Sequence, residues 1–144
     1  MTKFKTHIAL QVADLPRSVA FYQVLFDLAP VKYKPDYAKF DLDNPGLNLT
    51  LNASNTVVDR GTLSHLGIQV DSQAAVKSAI ARFKAQGLAT FEEHNTDCCY
   101  AIQDKVWVTD PDGTRWEIFV VTVADTTPEQ NILPETTTPS PCCA

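Results

Sequence analysis

An α+β fold built from two tandem β-α-β-β-β modules is predicted for this chain on two observations. First, His65-Leu66-Gly67-Ile68-Gln69-Val70 repeats His7-Ile8-Ala9-Leu10-Gln11-Val12 position by position, and each copy is followed by a helical apolar stripe and then by strands. Second, the turn Asp110-Pro111-Asp112-Gly113 stands in the second half where Asn44-Pro45-Gly46 stands in the first. Each short sheet covers one face with its helix, so the other faces would line a shared half-barrel cup. A chain of 144 residues, 44% hydrophobic, is long enough for one well-buried core and short for two. A single domain over residues 1–122 is expected, with module one at about 5–55 and module two at about 63–122.

In the first module, residues 6–12 alternate, with Ile8, Leu10 and Val12 on one face and His7, Ala9 and Gln11 on the other. Asp14 is a good N-cap, Pro16 fits a first helical turn, and Leu15, Val19, Tyr22, Leu25 and Phe26 form one stripe. A short strand over 31–34 precedes strands at 37–43 and 47–53, whose turn at Asn44-Pro45-Gly46 suits type II geometry. The second module opens with its strand at 65–70 and a helix capped by Ser72, which buries Val76, Ala79, Ile80 and Phe83 and stops at Gly87. Strands follow near 90–94, 105–109 and 114–121. From Thr122 the composition turns to Thr, Pro and acidic residues, so 123–144 reads as a flexible tail ending in Cys142-Cys143.

A net charge of -5 without a Lys/Arg run argues against nucleic acid and anionic membranes as partners. No secretory signal or spanning apolar run is visible, so a cytoplasmic location is expected. In that reducing compartment structural disulfides are disfavoured. Adjacent cysteines are also poorly placed to pair with each other, since neighbouring Cα atoms lie only about 3.8 Å apart. Thiol chemistry is the better account of Cys98-Cys99 and Cys142-Cys143.

His7 and His65 occupy matched positions on the strand faces turned from the helices, and Glu117 sits on the last strand with Arg115 and Phe119 on its face. Thr50 is the first-half counterpart of Glu117. Two imidazoles and one carboxylate are the donor set that suits ferrous iron with open positions, although zinc or manganese fits the same groups. A hydroxyl at Thr50 in place of a fourth ligand tilts the expectation from Lewis-acid isomerase chemistry toward oxygen chemistry. His94 falls outside the repeat and receives no ligand role.

Consecutive side chains in a regular strand point to opposite faces, so Cys98 and Cys99 can act together only on a loop or bulge. There, two thiolates would close around one soft atom, trivalent arsenic above all, with cadmium or zinc less uniquely matched. Two small half-buried residues are the competing reading. Lys105 and Arg115 would bring positive charge to the cup and stabilise thiolates or bound oxygen species, against the alternative of solvated surface charges. Trp107, Trp116 and Phe119 read as core or pocket lining.

His7, His65 and Glu117 within doubled β-α-β-β-β modules resemble the vicinal-oxygen-chelate superfamily of glyoxalases, bleomycin-resistance proteins and extradiol dioxygenases, over about residues 5–121. Within it, the run from Thr96-Asp97-Cys98-Cys99-Tyr100 through Asp110-Pro111-Asp112-Gly113 resembles the organoarsenical carbon-arsenic lyases, related sequences of which are labelled cadmium-induced protein. The resemblance implies an Fe(II)- and dioxygen-dependent enzyme that cleaves trivalent organoarsenicals such as methylarsenite or aromatic arsenicals to arsenite. It implies iron at His7, His65 and Glu117 and arsenic at Cys98 and Cys99; catalytic roles for Glu117 and Lys105, in a monomer or homodimer, are this reading's further expectations. A glyoxalase-like isomerase, a cadmium- or arsenite-sequestering protein and a ring-cleaving dioxygenase acting on catechols are the other readings open at this point.

Overall fold

The computed structural model describes residues 5–56, 61, 63–98 and 100–131. Strand β1 (Thr6–Val12) leads into helix α1 (Leu15–Phe26), then β2 (Lys32–Lys34), β3 (Tyr37–Leu42) and β4 (Leu47–Ala53). The second half repeats this with β5 (Leu66–Gln69), α2 (Gln73–Ala85), β6 (Phe91–Cys98), β7 (Ala101–Thr109) and β8 (Arg115–Val123). The two four-stranded sheets have the same connectivity, β1-β4-β3-β2 and β5-β8-β7-β6. In each, the first strand runs parallel to the last, and the remaining pairs are antiparallel. The fold is therefore α+β, as the repeat predicts.

Both helices start where their caps dictate. Asp14 accepts from Arg17 N and Ser72 accepts from Ala75 N, each satisfying an amide that the first helical turn leaves without a partner. Gly87 takes φ 75 after α2, a conformation an L side chain resists. Alternation along β4 sends Leu47, Leu49 and Leu51 toward α1, where they meet Leu15, Val19, Tyr22 and Leu25. On β7 and β8, Val106, Val108, Trp116, Ile118 and Val120 join the same core, with Val76, Ala79, Ile80 and Phe83 of α2.

The modules are locked to each other through α1. Phe26 and Tyr22 pack edge-on against Trp116, with centroids 5.8 and 6.0 Å away. The Tyr22 hydroxyl donates to Asp110 Oδ2 at 2.7 Å and accepts from Trp116 Nε1 at 3.1 Å. Arg82 of α2 donates to the Val24 and Leu25 carbonyls at 3.0 and 3.2 Å, satisfying acceptors at the end of α1.

Burial, the Asp110 charge and the hydrogen bond to Asp110 hold the Tyr22 phenol far above its ordinary value of 10.0, outweighing the Trp116 donor. The sign follows from proton linkage: the native state keeps this proton after the unfolded chain has lost it. The stabilisation is complete below pH 10 and declines above it, by about 1.4 kcal/mol per pH unit for one proton. Tyr22→Phe is expected to cost about 1–3 kcal/mol near neutrality, because Asp110 loses a buried donor, and to remove this alkaline slope. Urea unfolding of both proteins from about pH 8 to about pH 11 measures it; parallel curves would place the phenol in contact with solvent.

Three local expectations need correction. Gly46 is not among the glycines with positive φ, and the Asn44–Pro45 bond is cis, so the β3–β4 turn is not type II. Strands β6 and β7 run much further than the apolar pattern suggests, and residues 95–98 and 101–104 belong to a long hairpin. Its register breaks between Glu93 and Thr96, where Asn95 takes φ 50 and its amide donates to Asp104 Oδ1 at 2.7 Å. Main-chain pairing, not side-chain alternation, holds this polar stretch. Beyond β8, a 3₁₀ turn covers Pro128–Gln130, and Thr126 N donates to Tyr100 O at 2.7 Å. The rest of the expected tail, 132–144 with Cys142 and Cys143, lies outside the described residues. No helix among the described residues is long and apolar enough to cross a membrane.

Candidate metal and thiol site

The second sheet gathers most of the candidate residues on its face away from the helices. Glu117 on β8 lies directly beside Gly67 on β5 and Trp107 on β7, and Phe119 lies beside Lys105. His65, just before β5, turns its Nε2 to within 3.6 Å of Glu117 Oε1. Its Nδ1 shares a 2.9 Å hydrogen bond with the Ser64 hydroxyl. When Nδ1 carries the proton and donates to Ser64, Nε2 keeps its lone pair toward Glu117, the form a metal requires.

Lys105 is 1% exposed, and its ammonium donates to Glu117 Oε2 at 2.9 Å. It is a buried charge, not a solvated one. Its ammonium also lies 5.4 and 5.8 Å from the ring centroids of Trp107 and Phe119. Burial alone would push the Lys105 pKa down, but the hydrogen bond and charge of Glu117, with the charges of Cys98 and Glu93, carry it above the ordinary value. A cation stays charged here at neutral pH.

Trp107 lines this face as well. Its Nε1 donates to Glu93 Oε2 at 2.7 Å, the His65 ring meets it edge-on at 5.0 Å, and the exposed Arg115 guanidinium stacks 4.4 Å over it. Cys98 is half-buried at the end of β6, paired with Ala101 across the hairpin, and its carbonyl accepts from Gln103 Nε2 at 3.2 Å. Cys99 lies outside the described residues, and Tyr100 takes φ 63 immediately after it. Gln103 is buried with its Oε1 unpartnered among the described residues.

His65, Glu117 and Lys105 are thus brought together, whereas His7 is not. It is exposed on β1 beside Asn48, in the first sheet, and Thr50 lies buried on β4. Among the described residues no group of three His, Cys, Asp or Glu side chains is close enough to hold a metal ion. The donor chemistry of His65 and Glu117 fits a divalent cation, and one chain presents those two donors at the site. His94 is exposed, with its Nε2 3.4 Å from Glu92 Oε1, away from this pair. Gly67, Gln103, Glu93 and Ser64 were missed from the sequence. A signal did exist for Gly67, which interrupts a strand where the first repeat has Ala9.

Two helices over two mixed sheets of identical connectivity, with an imidazole and a carboxylate on the open face, define a duplicated-module α+β class. The chain belongs to the Glyoxalase/Bleomycin resistance protein/Dioxygenase superfamily, which it matches over residues 6–118. It is 46% identical over 138 residues to the "Trivalent organoarsenical cleaving enzyme" of Bacillus sp. (strain MD1), covering 95% of this chain and 81% of that protein. It is 45% identical over 117 residues to "Cadmium-induced protein CadI" of Mycobacterium tuberculosis (strain ATCC 25618 / H37Rv), covering 81% and 76%. A glyoxalase/bleomycin resistance protein/dioxygenase from Alicyclobacillus acidocaldarius shares the fold, with a TM-score of 0.67, 18% identity and coverage of 83% and 92%.

Proposed function

We propose that this protein cleaves the carbon–arsenic bond of trivalent organoarsenicals such as methylarsenite, releasing arsenite, in a reaction that depends on iron(II) and dioxygen and confers resistance. The observation that carries this reading is the convergence of His65, Glu117 and Lys105 on one face of the sheet whose β6 strand ends in Cys98. The name of the Bacillus relative points the same way. Cys98 and Cys99 take arsenic by exchange: each thiol displaces a hydroxyl from arsenic, forming one As–S bond and releasing one water. Lys105 supplies positive charge for a Cys98 thiolate. Gln103 ties the Cys98 carbonyl and so steadies the thiol-bearing turn. Trp107 and Phe119 keep water from the organic substituent. His7, His65 and Glu117 would hold iron(II), which would supply the redox chemistry with dioxygen.

In one chain, Thr6 and Ile8 of β1 share a cleft with Leu66, Gly67 and Ile68 of β5. His7 stands on the first sheet and Glu117 on the second, and the proposed site takes its His7 from a second copy. A mixture of His7→Ala and Glu117→Ala subunits should then regain activity that neither variant has alone, because one of the two mixed sites is intact. Absence of recovery after co-refolding would return His7 to the same chain or remove it from the site.

The deciding experiment is anaerobic loading with iron(II), then methylarsenite with and without oxygen, with arsenic species separated by chromatography. Arsenite formed only with both iron and oxygen supports the lyase. Intact methylarsenite bound in stoichiometric amount, with no arsenite under any condition, would make this a sequestering protein. Turnover without oxygen would favour isomerase-type chemistry.

A further inference from the structure

We propose that Gly67 and Lys105 are positioning residues that make Glu117 a one-oxygen donor: Oε1 is offered beside His65 while Oε2 is committed to Lys105. This rests on the metal reading of the site and goes beyond it. Glu117 and Gly67 are direct neighbours on β8 and β5. A Cβ at Gly67 would sit 2.8 Å from Glu117 Cγ and 3.3 Å from Oε1, so any larger residue would displace the carboxylate from its base, not merely from its tip. From the other side, Lys105 holds Oε2 at 2.9 Å.

The repeat supplies an internal control. In the first sheet the same register places Ala9 beside Thr50 and Tyr37 beside Asn52. These are the counterparts of Gly67 beside Glu117 and Lys105 beside Phe119. Where the long carboxylate is replaced by a short hydroxyl, the glycine is an alanine and the lysine a tyrosine. All four positions differ between the repeats, the three that form the cradle and Phe119, which stands where the first sheet has Asn52. With one oxygen withheld, Glu117 takes up a single coordination position and leaves more of them open for substrate.

The test is cobalt(II) binding followed by its visible spectrum, together with the infrared separation of the carboxylate stretches. Gly67→Ala should weaken cobalt(II) binding at least tenfold, and adding Glu117→Asp, which shortens the side chain, should recover much of the loss. Lys105→Met should still bind cobalt(II), with weaker visible bands and a narrower carboxylate separation as both oxygens engage. Lys105→Arg should keep the wider separation. If wild type binds cobalt(II) through Glu117 but Gly67→Ala and Lys105→Met leave affinity and spectra unchanged, the positioning proposal is overturned and the metal reading stands. If wild type shows no Glu117-dependent cobalt(II) binding, the metal reading falls and takes the cradle with it.

Discussion

Glu117→Ala is expected to abolish arsenite release and to destabilise the fold at the same time. The functional loss should exceed about 100-fold, the upper end of what losing even an outer-shell partner costs a metal site. The structural loss comes from Lys105. Its side chain is only 2% exposed, against 10% for that of Glu117, so removing the carboxylate leaves a buried ammonium without its counter-ion. Breaking such a pair from one side costs about 3–5 kcal/mol. The rings of Trp107 and Phe119 remain within cation–π range, which argues for the lower end, about 3 kcal/mol. Lys105→Met combined with Glu117→Leu removes both charges and should recover most of the stability while leaving the protein inactive. Urea unfolding of wild type, the single variant and the double variant separates the two effects. A Glu117→Ala protein as stable as wild type would mean that Lys105 reaches water and that the pair is not a buried one.

His65 and Glu117 were legible because a repeat marks them: matched strands with ligand-type residues on the face turned from the helix. The same logic did not tell which equivalents meet. Equivalent positions of two modules lie on separate sheets, so the match between His7 and His65 established a shared orientation and not a shared site. Lys105 was visible as a charge, but a lysine on a strand reads equally well as solvated; only the neighbours of β7 show it enclosed. The hairpin of β6 and β7 was illegible over residues 95–98 and 101–104 because its ladder is made by main chain under polar side chains, and the bulge at Asn95 breaks the alternation that a strand would otherwise display. Tyr22 and Trp116 each read as core, and nothing in their own segments says that they lock one module to the other. That coupling is long-range, from α1 to β8, and lies outside any local pattern.

Cys98→Ser should leave the fold intact and remove the proposed capture of arsenic. The exchange of sulfur for oxygen changes one half-buried atom at the end of β6, while the carbonyl of that residue keeps its bond from Gln103. Stability should therefore move by less than about 1 kcal/mol, as for a change that empties no cavity and orphans no buried group. Affinity should move far more, because in the proposed site arsenic is gripped at two points, by Cys98 and by Cys99, which lies outside the described residues. The second As–S bond forms within one molecule, so losing it forfeits the gain from effective concentration, about 10²–10⁴-fold. A hydroxyl is also a hard donor and a poor match for trivalent arsenic. Methylarsenite binding is best measured by calorimetry in a Cys142→Ser, Cys143→Ser background, so that the tail thiols do not register. Pentavalent methylarsenate, which has no lone pair and carries hard oxygens, should not bind the parent in that assay. Equal methylarsenite affinity with and without the Cys98 thiol would move the arsenic site off this hairpin, and His65, Glu117 and Lys105 would then require a substrate that makes no use of sulfur.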